Sequence, residues 1–165
     1  LDAALALKPN SWEARVNMGL AHQRAGRVEQ AVVHYEQALA VGDLSAEAFN
    51  NLGLAYQDLR RMDAAERAFT EALRQNPADL SAQINRRTLQ LRRRGIGGVD
   101  LYEILVGEFP QHLGLWRMAA VEYARLGRLE QAIKACEKIL TLDPQDGQTL
   151  RNMERLKERL SGAAD

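Results

Sequence analysis

Apolar and polar positions along this chain recur with a long period of about 34 residues. Cut at that spacing, Met18-Gly19, Leu52-Gly53 and Ala119-Ala120 fall into one column. His22, Tyr56 and Tyr123 form a second, Ala31, Ala65 and Ala132 a third, and Tyr35, Phe69 and Cys136 a fourth. Prolines mark the same interval. Pro9 and Pro77 stand two periods apart with Asp43 between them, and Pro110 and Pro144 mark the next two, the step to Pro110 being one residue short. Each period reads as two helices. Proline stops one hairpin and opens the next, and Gly26 and Gly127 stand where the first helix must end in a left-handed residue. Small residues at Gly19, Gly53 and Ala120 let the first helix (A) approach the second (B), as do Ala31, Ala65 and Ala132 from the other side. Tyr35, Phe49, Tyr56, Phe69, Trp116 and Tyr123 fill the space around those contacts. One such hairpin cannot bury its apolar face alone, so neighbours must stack.

The expected organisation is a single all-α domain over residues 1–160. Residues 1–10 read as the end of a truncated preceding repeat, with repeats at 11–44, 45–78, 79–111 and 112–145, a capping helix at 146–160 and a flexible tail at 161–165. Because Leu1 falls inside an apparent helix, a fragment of a longer protein is expected. The capping helix should pack with Leu150, Met153, Leu156 and Leu160, its other faces being charged. The third repeat departs from the pattern. Counted forward from Pro77, Arg86-Arg87 replace Leu-Gly. Counted back from Pro110, Gly98, Tyr102 and Leu105 take the Ala, aromatic and Ala columns. Its helix A still repeats Leu80, Ile84, Thr88 and Leu91 on one face, and the turn from Arg94 to Gly98 is rich in glycine.

These columns resemble the tetratricopeptide repeat family. The second repeat matches it at Phe49, Leu52, Gly53, Tyr56, Ala65, Phe69 and Pro77. The first substitutes Arg15 in the aromatic column, His22 for Tyr and Asp43 for Pro; the fourth opens on Trp116 and Tyr123 but has Cys136 for an aromatic. The resemblance implies a right-handed α-solenoid whose A helices line a concave groove that holds peptides or helices of other proteins.

Within that frame Asn17, Asn51 and Asn85 lie one period apart. Asn152 follows two periods later less one residue, with Met118 in the intervening column. The series is similar to the asparagine ladder of superhelical members. An amide both donates and accepts, so it can bridge a peptide main chain without reading side chains. Asn50, Leu54, Gln57, Asp58, Arg117, Val121, Arg151 and Arg155 are the other expected groove positions. A family subset clamps a C-terminal carboxylate, but the matching positions here are Val16, Leu20, Asn51, Ser81 and Asn85, and four of the five are wrong for that chemistry.

Composition narrows the function further. The chain is 46% hydrophobic and 27% charged with zero formal net charge, so nothing overall calls for nucleic acid or membrane. Residues 1–82 are net acidic and residues 83–165 net basic. Arg92-Arg93-Arg94 lack interleaved aromatics for base stacking and fit a helix C-terminus, which argues against a nucleic-acid partner. No apolar run reaches the length of a membrane span. His22, His34 and His112 are too scattered for a metal, Cys136 reads as a buried thiol, and no catalytic or cofactor constellation appears. The expectation is therefore a non-catalytic scaffold, with no metal or cofactor, that binds another protein. The alternatives are the recruiting arm of an enzyme such as a protein glycosyltransferase, or self-association through the apolar face at Leu1–Leu7. The compartment stays open, the cytoplasm being favoured.

Overall fold

The computed structural model describes residues 11–42 and 44–162. Among them are nine α-helices and no strand: α1 Trp12–Arg24, α2 Val28–Val41, α3 Ala46–Asp58, α4 Met62–Gln75, α5 Leu80–Arg93, α6 Gly98–Glu108, α7 Leu113–Arg125, α8 Leu129–Leu142 and α9 Gly147–Ser161. This is an all-α solenoid of antiparallel hairpins. The chain forms two compact units whose boundary falls within α5, between Gln90 and Leu91.

The A helices share a start signal. Ser11, Ser45, Asp79, His112 and Asp146 each accept a hydrogen bond from the backbone N–H three residues on. Capping of this kind satisfies a donor that the first helical turn leaves orphaned. The caps keep the period of the prolines, with the same short step before His112, and His112 is in this setting an N-cap. The turns from A to B are equally regular. Gly26 and Gly127 adopt φ of 73° and 72°, and Arg60 holds the same position at φ 59°.

In the first unit, Tyr35 and Phe69 fill the gaps between helices. A Cβ added at Gly19 would lie 2.7 Å from the Tyr35 ring, and one at Gly53 would lie 2.5 Å from Phe69. Glycine there is a steric requirement: the helices approach until the ring lies on bare backbone. Ala31, Val32, Tyr35, Ala38, Leu44, Ala48, Leu52, Ala55 and Ala68 form the main core, and Ala65, Phe69 and Leu89 a second cluster. In the second unit Leu101, Leu105, Leu115, Ala119, Tyr123, Ala132, Cys136 and Ile139 are buried. One inter-repeat bond occurs in both units: Tyr56 Oη donates to Glu36 (2.8 Å), and two periods on Tyr123 Oη donates to Glu103 (3.2 Å).

Both helices of the third repeat are present, but the second is altered. Its B helix, α6, has 11 residues where α2, α4 and α8 have 14. Gly95 and Gly98 take positive φ and the glycine-rich turn consumes the missing helical turn. Gly98, expected in the close-packed Ala column, instead opens α6 and is exposed. In α5 the buried residues are Ala82, Ile84, Leu89 and Leu91. Leu80, expected on the core face, is 43% exposed, because helical rotation presents Ala82 instead. Leu91 and Ile84 lie where expected, and Thr88 is half-buried.

The last helix corrects the sequence reading too. Its buried residues are Thr149 and Leu156, with Met153 half-buried, whereas Leu150 and Leu160 are exposed. Thr149 wins the place of Leu150 because its hydroxyl donates to the cap, Asp146, at 2.7 Å. Ser161 is the last residue of α9 and Gly162 its C-cap. The segment expected at 1–10, with Pro9 and the proposed self-association face, and residues 43 and 163–165 lie outside the described residues.

Candidate functional site

In the first unit Asn17 is exposed on α1 and Asn51 half-exposed on α3, and neither amide has a hydrogen-bond partner among the described residues. Gln57 is half-exposed one turn and a half beyond Asn51. Asn85 has a different role. Its Nδ2 donates to Asn50 Oδ1 at 3.0 Å, and Asn50 is only 8% exposed. Asn50, expected on the groove, is thus an internal strut between α3 and α5. Burying an amide without a partner costs about 1–3 kcal/mol, and Asn85 supplies that partner. Leu54 likewise packs against the Ala65–Phe69–Leu89 cluster.

Aromatic hydroxyls around these helices stay protonated. Burial pushes Tyr35 up to about 12, with Arg24 working against it, and its hydroxyl donates to Gln23. Tyr56 is also pushed up to about 12, first by burial and then by its bond to Glu36. His22 stacks on His34 with ring centroids 5.0 Å apart, and its Nδ1 accepts from Arg27 Nε; the Tyr column is here a packing position.

In the second unit a cleft runs between α7 and α9, floored by α8. One lobe, of about 320 Å³, lies beside Arg117, Asp146 and Thr149; the other, of about 220 Å³, lies beside Ala124, Arg155, Leu156 and Arg159. Ala120, Val121, Cys136 and Asn152 line both lobes, so the cleft is continuous. Its α7 lip carries the apolar Val121, 69% exposed, and Met118, three residues before it on the same helix, is 51% exposed.

The polar groups of this cleft are unequally engaged. Arg117, expected to face a ligand, donates to Asp146 at 2.9 Å and also lies near Asp143. Asp146 is held down to about 2, first by the Thr149 backbone N–H, then by the Thr149 hydroxyl and Arg117. Arg151 donates to Gln148, and Asn152 accepts from Gln148 while exposed along the cleft. Arg155 and Arg159 are exposed and have no ion-pair partner among the described residues. The Cys136 thiol is pushed up by burial and then by the Asp146 charge, so it is a poor nucleophile.

Among the described residues no group of three or more His, Cys, Asp or Glu could hold a metal ion, and no helix is long and apolar enough to cross a membrane. Sequence reasoning missed the capping column and the Asn50–Asn85 strut. The caps were visible as Ser and Asp recurring once per period. The strut had no signal beyond two asparagines one period plus one residue apart.

Several solved structures share the fold. The crystal structure of MamA superposes with a TM-score of 0.61 at 20% identity, over 89% of this chain and 86% of that one. YrrB, described as a TPR protein with an unusual peptide-binding site, gives 0.56 at 21% identity over 93% and 79%. MamA 41-end from Desulfovibrio magneticus RS-1 gives 0.54 at 18% over 92% and 86%. Among curated protein sequences none matches. Two sequence models described as tetratricopeptide repeat match residues 16–80 and 114–146, which together make up more than half of the chain and leave out the third hairpin with its shortened helix. With hairpins, glycine–ring contacts and both matches in one register, the chain belongs to the tetratricopeptide repeat family.

Proposed function

We propose that this chain is a protein-interaction scaffold that holds a peptide or helical segment of a partner protein against the faces of its A helices. The observation that carries this reading is the α7 lip. Val121 stands 69% exposed on the wall of a continuous, largely apolar-floored cleft, and Met118, three residues before it on α7, is 51% exposed. Large apolar side chains beside a concavity mark a docking surface more often than scattered single ones do. Asn17 and Asn51 support the same reading in the first unit, since their free amides can bridge a peptide main chain. The peptide-binding site named for YrrB is consistent with it.

The test is a random-peptide display library panned against the chain. Recovered peptides should bind the parent protein and lose most of their affinity to Val121→Ser, or to Asn17→Ala combined with Asn51→Ala. Helix content and melting should be nearly unchanged, because all three positions are exposed or half-exposed. Binding that survives both changes in an intact fold would remove the A-helix faces from the mechanism.

A further inference from the structure

Resting on that reading, we propose that the α7–α9 cleft takes an extended partner segment in which acidic and aliphatic residues alternate, its carboxylates on Arg155 and Arg159 and its aliphatic side chains along Val121.

The charge of the cleft is the first argument. Its one carboxylate among the described residues, Asp146, is already neutralised by Arg117 at 2.9 Å and saturated by Thr149. Arg155 and Arg159 line the other lobe, exposed and without an ion-pair partner among the described residues. In the same unit Arg117, Arg125 and Arg128 all have carboxylates within ion-pair distance. From α7 onwards, the described arginines left without a carboxylate therefore all stand on α9, in the net basic half of the chain. A guanidinium presents a planar fork that matches a carboxylate.

Spacing is the second argument. Arg155 and Arg159 are four residues apart on α9, which places them about 6 Å apart along the helix axis. An extended peptide advances about 3.3 Å per residue and sends alternate side chains to opposite sides. Residues i and i+2 of a bound strand therefore lie about 6.6 Å apart on one side, in step with the two arginines. The intervening residues point to the opposite wall, where Val121 and Ala124 of α7 stand. A segment lying along the cleft would meet cations on one side and an aliphatic surface on the other.

Asn152 supplies the position for a site-specific reporter: it is exposed and lines both lobes, while Cys136, the single cysteine, is 3% exposed and inert enough to leave in place. The experiment uses three fluorescein-labelled nonapeptide pools with Leu, Ile or Val at alternate positions and either Glu/Asp, Gln/Asn or Lys between them. Binding is read by anisotropy, and cleft occupancy by the rate at which Asn152→Cys is modified at position 152 with a thiol-specific maleimide. The acidic pool should bind at least tenfold tighter than the neutral pool, with the lysine pool weaker still, and should slow labelling at position 152. Arg155→Ala with Arg159→Ala should erase the acidic advantage while leaving neutral-pool binding and circular dichroism unchanged. Equal binding of the acidic and neutral pools, or an acidic preference that survives both substitutions, would overturn the charge assignment and leave the docking reading standing. Binding without protection of position 152 would place the peptide elsewhere and overturn this site. Failure of all three pools alongside successful library peptides would overturn the extended alternating segment alone; failure of every peptide would overturn both readings. An unlabelled oligodeoxynucleotide that displaces the acidic pool at equal concentration would overturn a peptide-specific cleft.

Discussion

Gly53→Ala should destabilise the protein even though alanine is the better helix former. In a helix interior the exchange favours Ala by about 0.8–1 kcal/mol. Against this, the new Cβ would lie 2.5 Å from Phe69 Cε1 and 2.6 Å from Cδ1, where ordinary contact begins at 3.4 Å. The ring or the helix must therefore yield by roughly 0.9 Å. Phe69 cannot give this cheaply, being fully buried and clustered with Ala65 and Leu89. Overpacking a filled core costs about 1–3 kcal/mol, so the net loss should run up to about 2 kcal/mol. Gly107→Ala is the internal control. It also lies in a helix, but nothing stands within 4 Å of its added Cβ, so it should be neutral or stabilising by up to about 1 kcal/mol. Guanidinium titrations followed by circular dichroism give both values. A double-mutant cycle with Phe69→Leu isolates the clash, with a coupling of about 1 kcal/mol expected between residues in contact. If Gly53→Ala proves as benign as Gly107→Ala, or couples to Phe69 not at all, the close approach of α3 to α4 is wrong.

Two further perturbations test the turns and caps. Arg60 holds φ 59° where Gly26 and Gly127 serve the other hairpins. Left-handed backbone costs a non-glycine residue about 1–2 kcal/mol, against about 0.4–1 kcal/mol of extra unfolded-state freedom for Gly. Arg60→Gly should therefore raise stability by up to about 1.5 kcal/mol, and a lowered denaturation midpoint would contradict the turn geometry. For Asp146, a folded pKa of about 2 below the ordinary 3.8 means that its contribution is complete above pH 4 and is lost as pH falls towards 2. Melting curves of the parent chain should fall across that window more steeply than those of Asp146→Asn. Parallel pH profiles would show that the cap and Arg117 do not depend on the charge.

Much of this protein was legible before any coordinates. Helix type, hairpin length and the small–large packing of Gly53 against Phe69 follow from the long repetition. Local periodicity and steric size are properties that each residue carries with it. The glycine-rich run from Gly95 to Gly98 likewise announced an irregular third hairpin, though not that α6 would lose its first turn. What the sequence could not assign was the rotation of individual helices and the partners of individual polar groups. Asn50, Asn51 and Asn85 are the same residue type on A helices. Asn51 keeps a free amide, while Asn50 and Asn85 satisfy each other, because the rotation of α5 brings Asn85 onto α3. Arg117 and Arg155 both read as groove cations, yet a cap carboxylate holds the first and leaves the second open. Repetition determines which element forms and how long it is; only tertiary packing, where a rotation of one residue changes every neighbour, decided which of its polar side chains remain available to a partner.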